Sequence, residues 1–133
     1  MATRSSIAVL DKEKNIIKSI YCHYDGYLEG VGEVLKENYN NLEIVNKLIE
    51  LGDIPFLAKH LEELEPYSDV GTGELKYKVF NSIDSYNNYL ADSYLDFAYL
   101  FKDDKWHYLQ LTNRTIEYNL YKFLAEKFTW KVL

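Results

Sequence analysis

The segment DFAYLFKDDKWHYLQL, from Asp96 to Leu111, decides the fold class. Two runs of aromatic and aliphatic residues flank four charged residues, which is the pattern of a β-hairpin. Alternate residues of each run share a strand face, namely Phe97, Tyr99 and Phe101 in the first and Trp106 and Tyr108 in the second. We expect these rings in a sheet core. The alternative is an exposed, tyrosine-rich surface of the kind that anchors protein interfaces.

A second hairpin is predicted near the N-terminus, because two runs rich in β-branched residues, 6–10 and 16–23, flank five polar residues. Residues 24–27 (YDGY) then form a turn, since Asp bonds its own backbone and Gly accepts a positive φ. From Glu29 the apolar residues follow the period of a helix. Its predicted core face consists of Val31, Val34, Leu35 and Tyr39.

The remaining elements follow from caps and breakers. A second helix is expected from a cap at Asn40 or Asn41 to Gly52, and a third, short one from Asp53 to just before Pro66. Further predictions are a strand at 75–79, a helix capped by Ser82, a closing helix from about 116 to 128, and an edge strand within 129–133. The order predicts a single α+β domain over residues 1–133. Its sheet is mainly antiparallel, with two hairpins plus one or two strands, and its helices pack on one side.

Composition excludes several functional classes. The chain has 133 residues, of which 47% are hydrophobic, so it can bury a core without disulfide or metal cross-links. One cysteine rules out an internal disulfide framework. A net charge of −6 disfavours direct binding to nucleic acid or to an anionic membrane. With neither a signal-peptide core nor an apolar run near the ~18 residues of a membrane span, a cytoplasmic protein is expected.

The negative charge is concentrated in one segment. Residues 29–65 contain nine acids and three bases, whereas the rest of the chain is balanced. Glu29, Glu33 and Glu37 lie four apart, opposite the predicted core face of the first helix. They predict an acidic, solvent-exposed ridge. Such a ridge is either an ordinary solvated helix face or a docking surface for a basic partner.

Residues 21–27 bring together a thiol, an imidazole and a carboxylate, at Cys22, His23 and Asp25. Neighbouring strand residues point to opposite faces, so Cys22 cannot pair with His23 by adjacency and would need His60 or His107 as its base. An ordinary buried cysteine is the favoured interpretation. The spacing fits no metal motif, and the nearby glycines match no phosphate-binding fingerprint, so no metal or cofactor is predicted.

Four motifs resemble a family of short bacteriophage and prophage proteins that is largely uncharacterised. They read MATRS-x-IA at 1–8, IYCH-x-DGY at 20–27, GVG-x-x-L at 30–35 and LI-x-LGDI at 48–54. The chain departs from the pattern at Tyr24 and Leu28, where relatives often carry Trp and Pro. Phage accessory proteins of this size without a catalytic signature often inhibit host defence, and this resemblance implies the same role in the host cytoplasm.

Three functions are therefore open. The first is a stoichiometric inhibitor of a CRISPR effector or restriction nuclease, which binds a basic host protein through Glu29, Glu33 and Glu37 with Tyr24 and Tyr27 as anchors. The second is a protein that sequesters a nucleotide signal, with candidate ligand contacts at Arg4, Tyr21, His23 and Asp25. The third is an enzyme that uses Cys22 or His23. The sequence carries no signal of oligomeric state.

Overall fold

The computed structural model describes residues 2–67, 76–111 and 129–133. Its strands are β1 (Ser5–Asp11), β2 (Ile16–Cys22), β3 (Lys78–Phe80), β4 (Phe97–Lys102), β5 (Lys105–Gln110) and β6 (Lys131–Val132). Its helices are a π-helix (Leu28–Gly32) that continues as α1 (Glu33–Asn38), then α2 (Leu42–Leu51), a 3₁₀ helix (Leu61–Glu63) and α3 (Ile83–Asp92). One sheet has the strand order β3-β2-β1-β4-β5-β6. The α+β class is confirmed.

The two predicted hairpins form the four central strands of this sheet. Asp103 and Asp104 form the two-residue turn between β4 and β5, with φ of 52° and 62°. Positive φ at both positions gives a turn whose twist matches the strands. β1 and β4 pair in parallel and all other strand pairs are antiparallel, so both hairpin turns lie at one end of the sheet. There Lys12 forms an ion pair with Asp103.

Helices cover both faces of the sheet. Ile7 and Val9 belong to the same core as α1 and α2, whereas Ala8 packs in a second core with Tyr86 and Leu90 of α3. The expectation that the helices pack on one side therefore holds for α1 and α2 and is wrong for α3. The physical reason lies in β1, which is apolar and buried on both faces and so needs a cover on each.

The predicted third helix is replaced by an extended segment. Ile54 pairs with Cys22 as a parallel bridge. The Ile54 amide donates to the Tyr21 carbonyl at 2.8 Å, and the Tyr24 amide donates to the Pro55 carbonyl at 2.8 Å. These bonds satisfy the backbone beside β2, and only the short 3₁₀ helix remains of the prediction. The predicted helix caps are confirmed: Asn41 and Gly52 cap the two ends of α2, and Ser82 caps the N-terminus of α3.

The aromatic hairpin is core. Phe97, Tyr99, Phe101 and Trp106 are all buried. Register places Phe101 opposite Trp106 and Tyr99 opposite Tyr108, so both runs contribute to the same face. The predicted edge strand is β6, which pairs with β5. β3 pairs with β2 and overlaps the strand expected at 75–79 at Lys78 and Val79, whereas Lys76 and Tyr77 are not in a strand. The predicted closing helix lies outside the described residues. In the described ranges, none of the helices has the length and hydropathy of a transmembrane segment.

Candidate functional site

The candidate residues of the N-terminal half gather at the end of the sheet opposite the hairpin turns. This end is formed where β1 and β4 begin and where β2 ends. The backbone closes it: the Arg4 amide donates to the Asp96 carboxylate at 3.0 Å, and the Asp96 amide donates to the Arg4 carbonyl at 2.8 Å. The Gly26 amide donates to the Thr3 carbonyl at 2.9 Å. The turn at residues 23–27 is therefore fixed against β1.

Glycines allow this turn and the first helix to approach closely. A Cβ on Gly26 would lie 2.8 Å from the Thr3 carbonyl oxygen, and one on Gly30 would lie 2.3 Å from the Asp25 carbonyl oxygen. The Asp25 carbonyl instead accepts a 2.8 Å hydrogen bond from the Val31 amide. Asp25 itself has a φ of 58°. The glycines serve packing here, in agreement with the lack of a phosphate-binding fingerprint.

Cys22 is a buried core residue. Its side chain lies in the core beneath α1 and α2, and its thiol donates to the Tyr24 carbonyl at 3.6 Å. Burial raises the pKa of the thiol to about 12, so it is protonated at neutral pH and a poor nucleophile. His107 is on β5, three strands away and on the opposite face, which places it about 14 Å from Cys22 or farther. These facts disfavour Cys22 catalysis.

Two of the predicted ligand contacts touch each other. The Tyr21 hydroxyl and His23 Nδ1 are hydrogen-bonded at 2.5 Å. Burial raises the pKa of Tyr21, and the nearby charge of Arg4 opposes that rise, so Arg4 belongs to the same neighbourhood. Asp25 is not hydrogen-bonded to this group, because its carboxylate accepts from the Tyr27 hydroxyl at 3.1 Å. Tyr21 and His23 thus form a hydrogen-bonded pair with the Arg4 charge nearby, and the Asp53 carboxylate accepts from the Tyr21 amide at 2.9 Å. We call Arg4, Tyr21 and His23 the surface cluster, and Asp25 lies apart from it.

The predicted acidic ridge forms one wall of an open groove. Glu29, Glu33 and Glu37 are all exposed, while Val31, Leu35 and Tyr39 are buried on the opposite side, as the spacing predicted. The groove has a volume of about 530 Å³ and is also lined by Leu28, Gly32, Lys36 and Leu133. Among the residues that the structure describes, none of the three glutamates forms an ion pair. The ridge therefore borders an apolar floor.

The two predicted anchor tyrosines lie differently. Tyr27 directly precedes Leu28, the first residue of the groove, and is 39% exposed. Tyr24 is 49% exposed and packs edge-on against the His23 ring, with a centroid separation of 4.5 Å. Tyr27 is next to the groove in sequence but is not one of its lining residues, whereas Tyr24 belongs to the cluster around His23.

Sequence reasoning missed the contribution of Leu133 to the apolar floor of the groove. Leu133 reaches the groove because β6 pairs with β5, where the Leu133 amide donates to the Trp106 carbonyl at 3.0 Å. The predicted edge strand was the one available signal, but its partner strand was not predicted. A second cavity of about 280 Å³ adjoins the groove, with Lys36 and Leu133 common to both. Nothing in the sequence indicated this cavity.

Groups of three or more His, Cys, Asp or Glu side chains arranged to hold a metal ion are absent from the described ranges. Comparisons of the chain with protein-family models, with curated proteins and with solved structures find no match.

Proposed function

We propose that this chain is a phage-encoded accessory protein that inhibits a host defence enzyme by stoichiometric contact, with the acidic groove as its binding surface. The partner is a basic, nucleic-acid-binding protein such as a CRISPR effector or a restriction nuclease, met in the host cytoplasm. The observation that carries the proposal is the groove itself. Its three exposed carboxylates form no ion pair among the residues that the structure describes, and they stand beside an apolar floor.

The arrangement suits a cationic protein surface. A carboxylate that forms no ion pair with its neighbours is free to pair with Lys or Arg of a partner, and complementary charge raises the association rate and the specificity. Among the described residues that line the groove, Lys36 is the one cation beside Glu29, Glu33 and Glu37. The apolar floor at Leu28 and Leu133 adds area that excludes water around such pairs.

The groove argues against the same surface holding a nucleotide. Its volume lies within the range of small-molecule sites. However, its wall carries three carboxylates, which repel the phosphates of a nucleotide. A nucleic-acid-binding enzyme instead presents Lys and Arg where its own substrate binds. The chemistry of the groove therefore favours a basic protein as the ligand.

The test uses host strains that each carry one nuclease-based defence system and express this chain. We expect the wild-type chain to restore plaque formation on at least one strain. The triple variant Glu29→Lys, Glu33→Lys, Glu37→Lys is expected to abolish that restoration. Plaque restoration by the triple variant at the wild-type level contradicts the proposed surface.

A matched control separates the position of the charges from their number. Glu62→Lys, Glu63→Lys and Glu65→Lys make the same change in net charge at exposed positions outside the groove. This control is expected to keep full activity. Circular dichroism of both variants shows whether the fold survives. With the purified nuclease, inhibition is expected to saturate at a fixed molar ratio.

The cluster of Arg4, Tyr21 and His23 favours a second candidate, a protein that sequesters a nucleotide signal. Its specific observation is the 2.5 Å contact between the Tyr21 hydroxyl and His23 Nδ1, close to the Arg4 charge. Aromatic rings can stack on a base, and a guanidinium can bind a phosphate. Native mass spectrometry of the protein from infected cells is expected to show a bound nucleotide. A protein that is consistently empty contradicts this candidate.

A further inference from the structure

The second cavity continues the acidic groove toward the β4–β5 hairpin. It is lined by Lys36 and Leu133, which it shares with the groove, and among others by Asn40, Phe101, Trp106 and Val132. We call the groove and the adjoining second cavity together the channel. Its start near Leu28 carries the three glutamates beside Leu28 and Leu133. Its far end combines the apolar side chains of Phe101, Trp106 and Val132 with the polar side chains of Asn40, Asp104 and Lys105.

The far end offers mainly apolar contact. Trp106 has a single polar atom, and its indole N–H donates to the Tyr39 carbonyl at 2.7 Å. The indole thus has no donor left for a ligand. Phe101 packs against Trp106 with a centroid separation of 5.2 Å, and Val132 is 62% exposed at the rim. The cavity volume of about 280 Å³ lies just below the range of small-molecule sites and suits one side chain.

We propose that the channel binds an extended segment of the partner protein, with a Lys or Arg side chain along the glutamates and a bulky apolar side chain in the second cavity. This inference rests on the proposed function and adds the sequence pattern of the partner. Charge complementarity selects the occupant. A second copy of this chain carries a net charge of −6 and presents the same acidic ridge, so it is disfavoured.

The geometry also sets the spacing between the two side chains. Glu33 lies at the middle of the acidic wall and begins α1, whereas Asn40 lies at the second cavity, two residues beyond the end of α1 at Asn38. The five helical steps to Asn38 span roughly 8 Å, and the two non-helical residues add up to about 3.3 Å each, so the separation is roughly 8–14 Å. An extended peptide advances about 3.3 Å per residue. The apolar residue is therefore expected two to four residues from the basic one.

The experiment selects binders of the purified chain from a randomised 12-residue peptide library displayed on yeast. We expect enriched peptides to carry Lys or Arg together with Phe, Trp, Leu or Met two to four residues away. Replacing the apolar residue of an enriched peptide with Ala is expected to weaken its binding about tenfold or more. Failure to enrich any peptide above the starting library overturns the inference.

Two protein variants locate the contact. Asn40→Trp is expected to fill the mouth of the second cavity and to weaken the enriched peptides about tenfold, down to the level of their Ala-substituted forms. Asn88→Trp makes the same change at an exposed position of α3, on the other face of the sheet, and is expected to leave affinity unchanged. Equal affinity for the wild-type chain and Asn40→Trp overturns the second cavity as the binding site.

The outcomes also separate this inference from the proposed function. Enriched peptides that are basic but lack a spaced apolar residue overturn the inference and leave the acidic groove in place. If the enriched peptides lack basic residues and bind the Glu29→Lys, Glu33→Lys, Glu37→Lys variant as tightly as the wild-type chain, both the inference and the proposed function are overturned.

Discussion

The Tyr99 hydroxyl donates a 2.6 Å hydrogen bond to the backbone carbonyl of Gly26, 73 residues earlier in the chain. Tyr99 is fully buried on β4, and its ring also lies against Gly32, where a Cβ would come within 3.2 Å. One side chain thus connects a central strand to the turn at residues 23–27 and to the π-helix that carries Glu29. The position of the acidic groove depends on this contact.

Tyr99→Phe is expected to lower the free energy of unfolding by about 1–3 kcal/mol, because it leaves the Gly26 carbonyl without its donor. Urea unfolding followed by circular dichroism measures the change. Tyr24→Phe removes a hydroxyl from an exposed ring and serves as the matched control, with an expected change near zero. Equal stability of Tyr99→Phe and the wild type contradicts the structural role assigned to this bond.

Gly30→Ala tests the close approach of the π-helix to the turn. An alanine in place of glycine usually stabilises a helix. Here the added Cβ would lie 2.3 Å from the Asp25 carbonyl oxygen, a backbone atom that cannot rotate away. We expect a loss of about 1–3 kcal/mol from overpacking. Chemical denaturation gives the sign directly, and a stabilised variant refutes the prediction.

Gly32→Ala is expected to lower the free energy of unfolding by less than Gly30→Ala does. Its Cβ would lie 3.2 Å from the Tyr99 ring, a wider separation than the 2.3 Å from the Asp25 carbonyl oxygen at Gly30, so less adjustment is needed. The expected order of stability is therefore wild type, then Gly32→Ala, then Gly30→Ala. The reverse order of the two variants contradicts the geometry of the turn.

Local chemistry made part of this fold predictable. The side chains of Asn41 and Ser82 accept from the amides three residues ahead, at 3.0 Å and 3.1 Å, which are bonds within one turn of chain. The exposure of Glu29, Glu33 and Glu37 followed from helical spacing alone. Such features need no knowledge of distant residues.

The remainder depends on pairings between distant segments. β1 and β4 pair in parallel although Ser5 and Phe97 are 92 residues apart, and this pairing creates a strand buried on both faces. Leu133 completes the groove only because β6 joins β5. Ile54 forms a parallel bridge with Cys22, although the sequence around it predicts a helix from Asp53 to just before Pro66. The hydrophobic periodicity of a short stretch of sequence does not predict these pairings between distant segments.

Cys22 is expected to be unreactive in the folded protein. Its side chain is fully buried and its pKa is raised to about 12 by burial, whereas an unfolded chain exposes a thiol of ordinary pKa. At pH 8, alkylation with iodoacetamide is expected to be slow without denaturant and fast in concentrated urea. Mass spectrometry of the intact protein gives both rates. Rapid alkylation of the folded protein contradicts the buried position.

Alkaline pH provides the last prediction. Burial raises the pKa of Tyr39 to about 12 and raises those of Tyr86 and Tyr99 further. Below the pKa values of the unfolded chain, both states keep these protons and stability does not change. Above them, the unfolded state releases protons that the folded state retains. Each group then lowers the free energy of unfolding by up to about 1.4 kcal/mol per pH unit.

Urea midpoints measured from pH 7 to pH 11 are therefore expected to be level up to about pH 9 and to fall steeply beyond it. In the folded protein at pH 10.5, phenolate absorbance at 295 nm is expected to show that the buried tyrosines are still protonated. Tyr86→Phe removes one titrating group and so flattens the fall, whereas Tyr24→Phe, at an exposed position, leaves it unchanged. A constant urea midpoint up to pH 11 contradicts the burial of these hydroxyls, because their ionisation must oppose folding once the unfolded chain has lost the same protons.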